Sequence, residues 1–415
     1  MSSARAKFEF TALVWIAAPL CFGAPTFHAD VLPVLRQHCQ SCHRAGDIGP
    51  MPLGTYSEVR PWARAIREAV VSRKMPPWFA DPHTGPFAND PSLRDDQIAT
   101  LREWVDGGAP EGAPALSAPP ASLPNMQFDL ELRMPKPFRI GTKATVDYQY
   151  VVLPHVFAAD QWIRAAEILP SDRGVVHHAV LYVRDKDSKW LRDGQTSPRD
   201  ITSDILAIYT PGAPRMQCPD GMAKKIPAGA DLVLQLHYTS RNKPAADQTT
   251  VRLEYAKQSP SSRVLTLQMS QYNLRIPPSA RNYRATVAGT LPREALLLSM
   301  FPHMHLRGAG FEYQILGTRG RVDTLLRVSN YDFNWQLTYT LKTPLPLKAG
   351  TQLLFTGYFD NSSANPRNPD PAQTVEWGDQ SWEEMLVGFF DVAVPPEIDK
   401  PAFFIRQPAP AEPRP

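Results

Sequence analysis

Cysteine is scarce in this chain, whose 415 residues include four. Cys21 lies in an apolar stretch near the N-terminus, Cys39 and Cys42 stand close together, and Cys218 is alone. Secreted scaffolds that depend on disulfides for stability need more paired cysteines than this. We therefore expect hydrophobic cores to stabilise the fold, and a chain of this length to form more than one of them.

An excess of charge of one sign is also absent. Lysine and arginine number 44 and the acidic residues 41, a formal net charge of +3. Nucleic-acid-binding proteins usually carry a basic stripe, so we predict no nucleic-acid partner. Proline, by contrast, is abundant at 43 residues. That content favours short elements and frequent turns over long helices.

Only the N-terminus carries a long apolar run. The stretch FTALVWIAAPLCFGA, residues 10–24, follows Arg5 and Lys7, and no later stretch is apolar enough to cross a membrane. A short apolar run behind positive residues is typical of an export signal. We predict a signal peptide over residues 1–24 and a periplasmic or secreted protein with no obligate membrane partner. An uncleaved membrane anchor is the alternative.

The sequence CQSCH, Cys39 to His43, matches C-x-x-C-H, the attachment signature of c-type haem. Two thiols at this spacing add to the haem vinyl groups, and the adjacent histidine binds the iron. A disulfide or a chance C-x-x-C is the alternative, but the histidine and the export signal favour haem. We predict one covalently bound haem c held by Cys39, Cys42 and His43.

A sixth iron ligand is expected downstream of this motif. Met75, in SRKMPPWFADP, lies in a proline-rich turn that leads towards a predicted helix. Met51, in GPMPLGTY, is the rival, and either methionine could simply fill a core. The position before the helix favours Met75 as the haem ligand.

Helical patterns surround the haem motif at residues 27–39, 56–74 and 92–110, the last with Ser92 as its expected N-cap and Gly107 at its end. Residues 27–112 resemble the small cytochromes c found in bacterial multidomain proteins. The resemblance implies an N-terminal all-α cytochrome c domain.

An Ala/Pro-rich stretch at 113–126 predicts a linker, and the residue composition and pattern change after it. Beyond it, short runs rich in β-branched and aromatic residues alternate with proline, glycine and asparagine. We predict two all-β antiparallel sandwich domains of jelly-roll type, over 127–265 and 266–398. A Pro-rich tail, 399–415, follows.

Histidines interrupt several of these apolar runs. His303 and His305, in FPHMHLRG, would point to the same face of a strand, where two imidazoles suit a metal better than a core. His177 and His178 are neighbours, so both can bind one ion only at a bend, a bulge or a strand end. His237, from another run, could complete their set. The adjacent pair is weak evidence by itself.

Four motifs strengthen the metal hypothesis: VVHHAVLYV, LVLQLHYT, PHMH and EEMLVGFFDV, in this order. Together they resemble the ligand motifs of the copper type II, ascorbate-dependent monooxygenases, the family of the peptidylglycine α-hydroxylating and dopamine β-monooxygenases. The resemblance covers roughly residues 127–395. It implies two copper ions, an electron-transfer copper held by His177, His178 and His237, and an oxygen-activating copper held by His303, His305 and Met385. A thioether ligand favours Cu(I).

The sequence departs from this family in three respects. Cys218 alone remains where the animal enzymes have disulfides. The positions that clamp the carboxylate of a peptide substrate are occupied by Phe301, Val387 and Phe389. A predicted haem precedes the copper motifs, whereas the family takes its electrons from ascorbate. These differences argue against a glycine-extended peptide and favour a small, mostly apolar organic substrate.

The resulting hypothesis is an exported monooxygenase that contains haem and copper and hydroxylates a C–H bond with O2. His303, His305 and Met385 would be its catalytic ligands. Electrons would pass from the haem to copper, supplied by another exported cytochrome or a different donor. The alternatives are a non-catalytic electron-transfer or copper-binding protein, and a redox sensor whose β-domains bind a partner.

Overall fold

The computed structural model describes residues 23–114, 126–142, 146–192, 204–317 and 320–403. Nearly all of the predicted signal peptide, and most of the predicted linker and tail, lie outside these ranges. Among the described helices, none combines the length and the apolar character that a membrane crossing requires.

Helices occur in the N-terminal part of the described chain. They are α1 Leu32–His38, α2 Tyr56–Val59, α3 Ala63–Val71 and α4 Asp95–Asp106, with a π-helical turn over Phe27–Val31 and a 3₁₀ turn over Arg60–Trp62. A further 3₁₀ turn covers Lys400–Phe403 near the described C-terminus.

Strands account for most of the remaining structure. They are β1 Leu130–Arg133, β2 Phe138–Ile140, β3 Gln149–Val156, β4 Gln161–Leu169, β5 Val176–Arg184, β6 Asp204–Tyr209, β7 Met216–Gln217, β8 Met222–Ile226, β9 Asp231–Tyr238, β10 Ala245–Asp247, β11 Thr250–Tyr255, β12 Ser262–Ser270, β13 Arg275–Ile276, β14 Tyr283–Thr290, β15 Ala295–His303, β16 Gly308–Leu316, β17 Val322–Val328, β18 Tyr339–Leu347, β19 Gln352–Phe359, β20 Val375–Glu376 and β21 Val387–Val394.

The predicted fold class was wrong, because the described residues that precede the β-structure form no sizeable all-α cytochrome domain. The N-terminal helices have seven, four, nine and twelve residues and pack around a small core of their own. The proline-rich segment between α3 and α4 is irregular, and it pairs with the β-structure through the bridges Ala80–Val328 and Phe87–Leu341. Apolar periodicity had marked the local helices, but it carries no information on how much chain leaves them to join a sheet.

The last of these helices also begins later than predicted. Arg94 precedes its first turn, and the Arg94 backbone N–H donates to Gln97 Oε1 at 3.0 Å. Ser92 therefore does not cap α4, although Gly107 ends the helix as expected.

A nine-stranded sheet runs through both halves of the β-structure in the order β1-β11-β4-β8-β12-β21-β15-β18, with β7 also paired to β4. Its two halves join where β8 and β12 pair in parallel, through Met222–Ser262 and Ala223–Arg263. The predicted domain boundary at 265/266 falls inside β12.

A four-stranded sheet covers each half of the long sheet. The sheet β3-β9-β5-β6 encloses a first core with β1, β4 and β11, and the sheet β14-β19-β16-β17 encloses a second core with β12, β15 and β21. Burial of this apolar surface, worth roughly 25 cal/mol per Å², is the main stabilising contribution. It also holds β5, β9, β15 and β21, the strands that carry or flank the predicted copper ligands, in fixed positions.

Candidate metal centre

Two adjacent strands bring His177, His178 and His237 together; we call these the three-histidine set. His178 on β5 pairs directly with His237 on β9, and the register shifts between Val176 and His178. Such an irregularity turns the extra residue, His177, towards the side of its neighbour. One potential ligand atom from each of the three residues lies within 4.8 Å of the others.

Burial keeps this set uncharged. It lowers the pKa of His177 to about 4 and that of His237 to about 3, and it also lowers the pKa of His178 well below its usual value. The ring nitrogens His177 Nε2 and His237 Nδ1 are buried without a hydrogen-bond partner, and the two Nδ1 atoms of His177 and His178 lie 3.0 Å apart. Buried polar atoms are normally satisfied. Neutral imidazoles with unsatisfied nitrogens are what a metal ion would coordinate.

The second set, His303 and His305, lies at the end of β15 and in the turn that follows; we call it the histidine pair. The two ring centroids are 5.2 Å apart. His303 Nδ1 lies 2.7 Å from Gln336 Oε1, which can only accept, so Nδ1 carries the proton and Nε2 is free to bind a metal. Both ring nitrogens of His305 are buried without a partner. Burial lowers the pKa of both histidines.

Glu384 connects this pair to Met385. Its buried carboxylate accepts hydrogen bonds from the backbone N–H groups of His305, of Arg307 at 2.9 Å and of Met385 at 2.9 Å. Burial raises the pKa of Glu384 to about 7. The clamp brings the backbone of Met385, just before β21, next to the turn that carries His305. Glu384 was not predicted as a site residue, although EEMLVGFFDV places it beside the predicted ligand.

The two sets converge although they belong to different halves of the β-structure. The rings of His178 and His303 lie 6.5 Å apart between centroids. Phe333 stands between the sets: it stacks on His177 at 5.2 Å and lies 6.2 Å from His305. Nothing in the local sequence of Phe333 indicated this role, because the loop reaches the histidines only in the folded chain.

The C-x-x-C-H motif lies at the end of α1 with both thiols unpaired. Burial raises the pKa of Cys39 to about 12 and also raises that of Cys42. His43 Nδ1 lies 3.1 Å from the carbonyl oxygen of Met51. A proton on Nδ1 satisfies that carbonyl and leaves Nε2 free as a ligand.

The two candidate sixth ligands lie in different surroundings. Met51 packs against the small N-terminal core, as Cys39 does. Met75 follows α3, and its backbone N–H donates to Ala69 O at 3.2 Å. Met75 remains a prediction, with Met51 as its rival.

A cavity of about 580 Å³ lies next to Phe301 and Phe389, and none of the five histidines is among the residues that line it. The outer face of the long sheet forms one wall, and the other walls come from Cys42 and nearby N-terminal residues and from the segment between β6 and β8. Phe301 and Phe389 line it, and the Phe389 ring lies 6.3 Å from that of His303. Phe301 and Phe389, two of the three residues at the positions where the predicted resemblance would place a carboxylate clamp, therefore face this cavity, and Val387 is not among its lining residues.

Comparison with known proteins adds little. No protein-family model and no curated protein matches the chain. Among solved structures, the major capsid protein P2 from bacteriophage PM2 aligns over 65% of this chain and 98% of its own, at 9% identity and a TM-score of 0.29. PNGase F, a glycosylasparaginase from Flavobacterium meningosepticum, aligns over 62% and 96%, at 9% identity and a TM-score of 0.26. Neither is a copper monooxygenase or a cytochrome, and likeness this weak supports no argument.

Proposed function

We propose that the protein is an exported, copper-dependent monooxygenase that hydroxylates a C–H bond of a small, mostly apolar molecule with electrons delivered through a c-type haem. The observation that carries this proposal is the convergence of five histidines in two sets, with the rings of His178 and His303 6.5 Å apart. Three of the five, His177, His237 and His305, have buried ring nitrogens without a hydrogen-bond partner. In an ordinary core, each buried nitrogen without a hydrogen-bond partner would lower the free energy of unfolding by about 1–3 kcal/mol.

The donor sets fit copper. The three-histidine set would hold one ion, and the histidine pair with Met385 would hold the other; imidazole suits both oxidation states and a thioether favours the reduced one. Bound copper would supply the activation of O2. One oxygen atom would be inserted into the C–H bond of the substrate, and the other would be reduced to water by two electrons and two protons. Gln336 holds the His303 tautomer, and Glu384 holds the backbone of His305 and Met385. Phe333 excludes water between the two sets.

Two contacts join the loop after the haem motif to the segments that flank the three-histidine set, and these contacts support electron transfer from haem to copper. Asp47, in the loop after the motif, forms an ion pair with Arg173 at 3.3 Å, and Arg241 Nη2 donates to Asp47 O at 3.5 Å. Arg173 lies four residues before His177, and Arg241 lies four residues after His237. Cys39, Cys42 and His43 would hold the haem.

The test is the metal and haem content of protein expressed in a periplasm, combined with spectra of the reduced, anaerobic protein before and after O2 is admitted. We expect two coppers and one haem per chain, reoxidising together. Haem without copper under copper-replete conditions would overturn the monooxygenase. Copper without haem would overturn the electron path but leave the copper centre standing.

The cavity favours catalysis over the alternative of a non-catalytic electron-transfer or copper-binding protein. A carrier of electrons or copper needs no chamber beside its metal ligands, whereas a hydroxylase must place a substrate there. O2-dependent product formed from a candidate substrate, with catalase added to remove stray peroxide, separates the two.

A further inference from the structure

Four polar side chains lie together in the wall of the cavity, away from the histidines. Lys224 on β8, Thr266 on β12, Asp391 on β21 and Ser299 on β15 all line it; we call them the polar cluster. Three of the four are almost fully buried, but the Asp391 side chain keeps 27% of its surface exposed, against 5% for Lys224. The carboxylate is therefore the group of this cluster that a ligand in the cavity can reach.

The hydrogen bonds within the cluster decide what it can still bind. Lys224 Nζ donates to Ile205 O at 2.9 Å and Thr266 Oγ1 at 2.7 Å, and its third proton faces Asp391 Oδ1 at 3.5 Å. An ammonium group has three donors, so Lys224 has none left. A carboxylate or carbonyl on a ligand would find no free ammonium donor within the polar cluster.

The hydroxyl protons of the cluster are also committed. Thr266 donates to Asp391 Oδ1 at 2.6 Å, and Ser299 donates to Asp391 Oδ2 at 2.9 Å. Carboxylate oxygens offer about four lone-pair sites in all. Asp391 Oδ2 thus keeps an unused acceptor site, and the cluster recognises a ligand through a donor.

Charge then separates the two common donors, a hydroxyl and an ammonium. Lys224 already compensates Asp391, and the other charged side chains in the cavity wall, Arg215 and Lys342, are both basic. A cation in this chamber would face net positive charge at short range. A neutral hydroxyl is not repelled by this positive charge.

The rest of the chamber suits an apolar body of defined length. Ser299, Phe301 and His303 alternate along one face of β15, so the polar cluster and His303 are four residues apart, or roughly 13 Å at about 3.3 Å per residue. Between them stand Phe301 and its partner Phe389, whose rings lie 5.9 Å apart. A ligand held at Asp391 would extend its carbons past both rings towards His303.

We propose that the cavity binds a neutral, medium-length alcohol whose hydroxyl donates to Asp391, with the far end of its apolar body against Phe389, whose ring lies 6.3 Å from that of His303. This substrate class rests on the proposed function for its chemistry, but the binding site can be tested without it. A purely structural reading would assign the cluster to the β8–β12 junction, where it links four neighbouring strands.

The test measures binding of four probes to the full-length protein by calorimetry, with the fluorescence of Trp335 and Trp78, which line the cavity, as a second signal. The probes are octanol, its isomer heptyl methyl ether, octylammonium and octanoate. We expect octanol to bind about tenfold to a hundredfold more tightly than the ether, the range that a lost hydrogen bond to a charged group gives. Ether binding equal to octanol, or a preference for either ion, would overturn the proposal.

Variants show where the preference arises. D391N presents an amide instead of a carboxylate and should reduce the preference for octanol over the ether to below about threefold. Because D391N leaves Lys224 uncompensated, K224M/D391N provides a version without the buried charge, with the same expected loss. D323N, at the exposed side chain of β17, is the control and should keep the preference. Folded variants that retain full discrimination would refute the role of Asp391.

The outcome separates this inference from the proposed function. Octanol binding with the expected preference but no copper would overturn the monooxygenase and leave the alcohol site intact. Two bound coppers without a preference for octanol over the ether would overturn the alcohol site and leave the monooxygenase proposal intact.

Discussion

The three-histidine set and the histidine pair lie side by side, but different interactions position them. In the first set, two paired strands and a register shift bring the rings together. In the second, outer contacts act on each residue: Gln336 on the His303 ring, and Glu384 on the backbones of His305 and Met385. The first set depends on the sheet as a whole, and the second depends on single buried side chains.

The two histidine sets also differ in which side chains surround them. His178 and His237 are enclosed by aromatic rings, with Tyr148 4.8 Å from His237 and Phe333 6.0 Å from it. The histidine pair is also buried, with His305 fully so, but one ring of its surroundings, Phe389, lines the cavity and lies 6.3 Å from the His303 ring. The two sets therefore differ in their distance from the cavity, and an ion that must meet a substrate is expected at the set nearer to it.

The largest effect is expected from removing a ligand of the first set. H237A should eliminate one bound copper per chain, a loss greater than the roughly 10–100-fold in affinity that removal of an outer partner costs. Elemental analysis after dialysis measures it. H155A, on β3, is the matched control and should keep both ions. Two coppers retained in H237A would contradict the assignment of this set.

The clamp at the second set should matter most for stability. E384A leaves three buried backbone N–H groups without their acceptor, so we expect the free energy of unfolding to fall by roughly 3 kcal/mol or more. Urea denaturation of the metal-free protein measures this change. E376Q, whose ion pair with Arg275 is exposed, should change it by less than about 0.5 kcal/mol. Equal effects of both variants would mean that Glu384 is not a clamp.

A smaller change should separate the two sets most sharply. Q336L removes the acceptor that orients His303, and copper affinity at the second set should fall about tenfold to a hundredfold while the first set is unaffected. Competition with a chelator of known affinity resolves the two ions. Q314L, which disrupts only a contact with Glu312 on the same half, should alter neither. Equal weakening of both sites would show that the sets are not independently positioned.

The smallest effect is expected at the anchor beside the first set. R173A removes one partner of Asp47 while Arg44 remains at 2.8 Å, so we expect about 0.5–1 kcal/mol of local destabilisation. Backbone hydrogen exchange over residues 42–49 should accelerate by about threefold, and less so at high salt. R321A, in an exposed pair on β17, should leave that segment unchanged. Unchanged exchange in R173A would exclude Arg173 as an anchor.

Local patterns in the sequence were enough to propose most of the candidate site. A bend or bulge was required for His177 and His178 to face one ion, and the structure has a register shift at that position. The H-x-H spacing predicted that His303 and His305 share one face of a strand. The structure brings the two rings to 5.2 Å of each other, but β15 ends at His303 and His305 lies in the turn that follows. Glu384, Gln336 and Phe333 could not be found in this way, since each reaches the histidines from a distant part of the chain.

The fold shows the same division. Proline-separated runs of β-formers indicated a mostly β chain, and apolar periodicity indicated the N-terminal helices, because both patterns follow from backbone geometry within a few residues. The predicted all-α domain failed because the segment between α3 and α4 bonds to β17 and β18, more than two hundred residues away. The parallel pairing of β8 with β12, which makes one sheet of two halves, has no local signal either.

The sequence by itself therefore determined that histidines interrupt apolar, strand-forming runs in two separate parts of the chain, and it predicted these histidines as ligands. Tertiary structure alone decided that the two histidine sets meet, that Glu384 and Gln336 hold one of them, and that a chamber with a carboxylate in its wall opens beside Phe301 and Phe389. The physical reason is the distance along the chain over which each effect acts. Residue spacing controls the direction of side chains within one helix or strand, whereas burial of the two cores controls which distant elements come into contact.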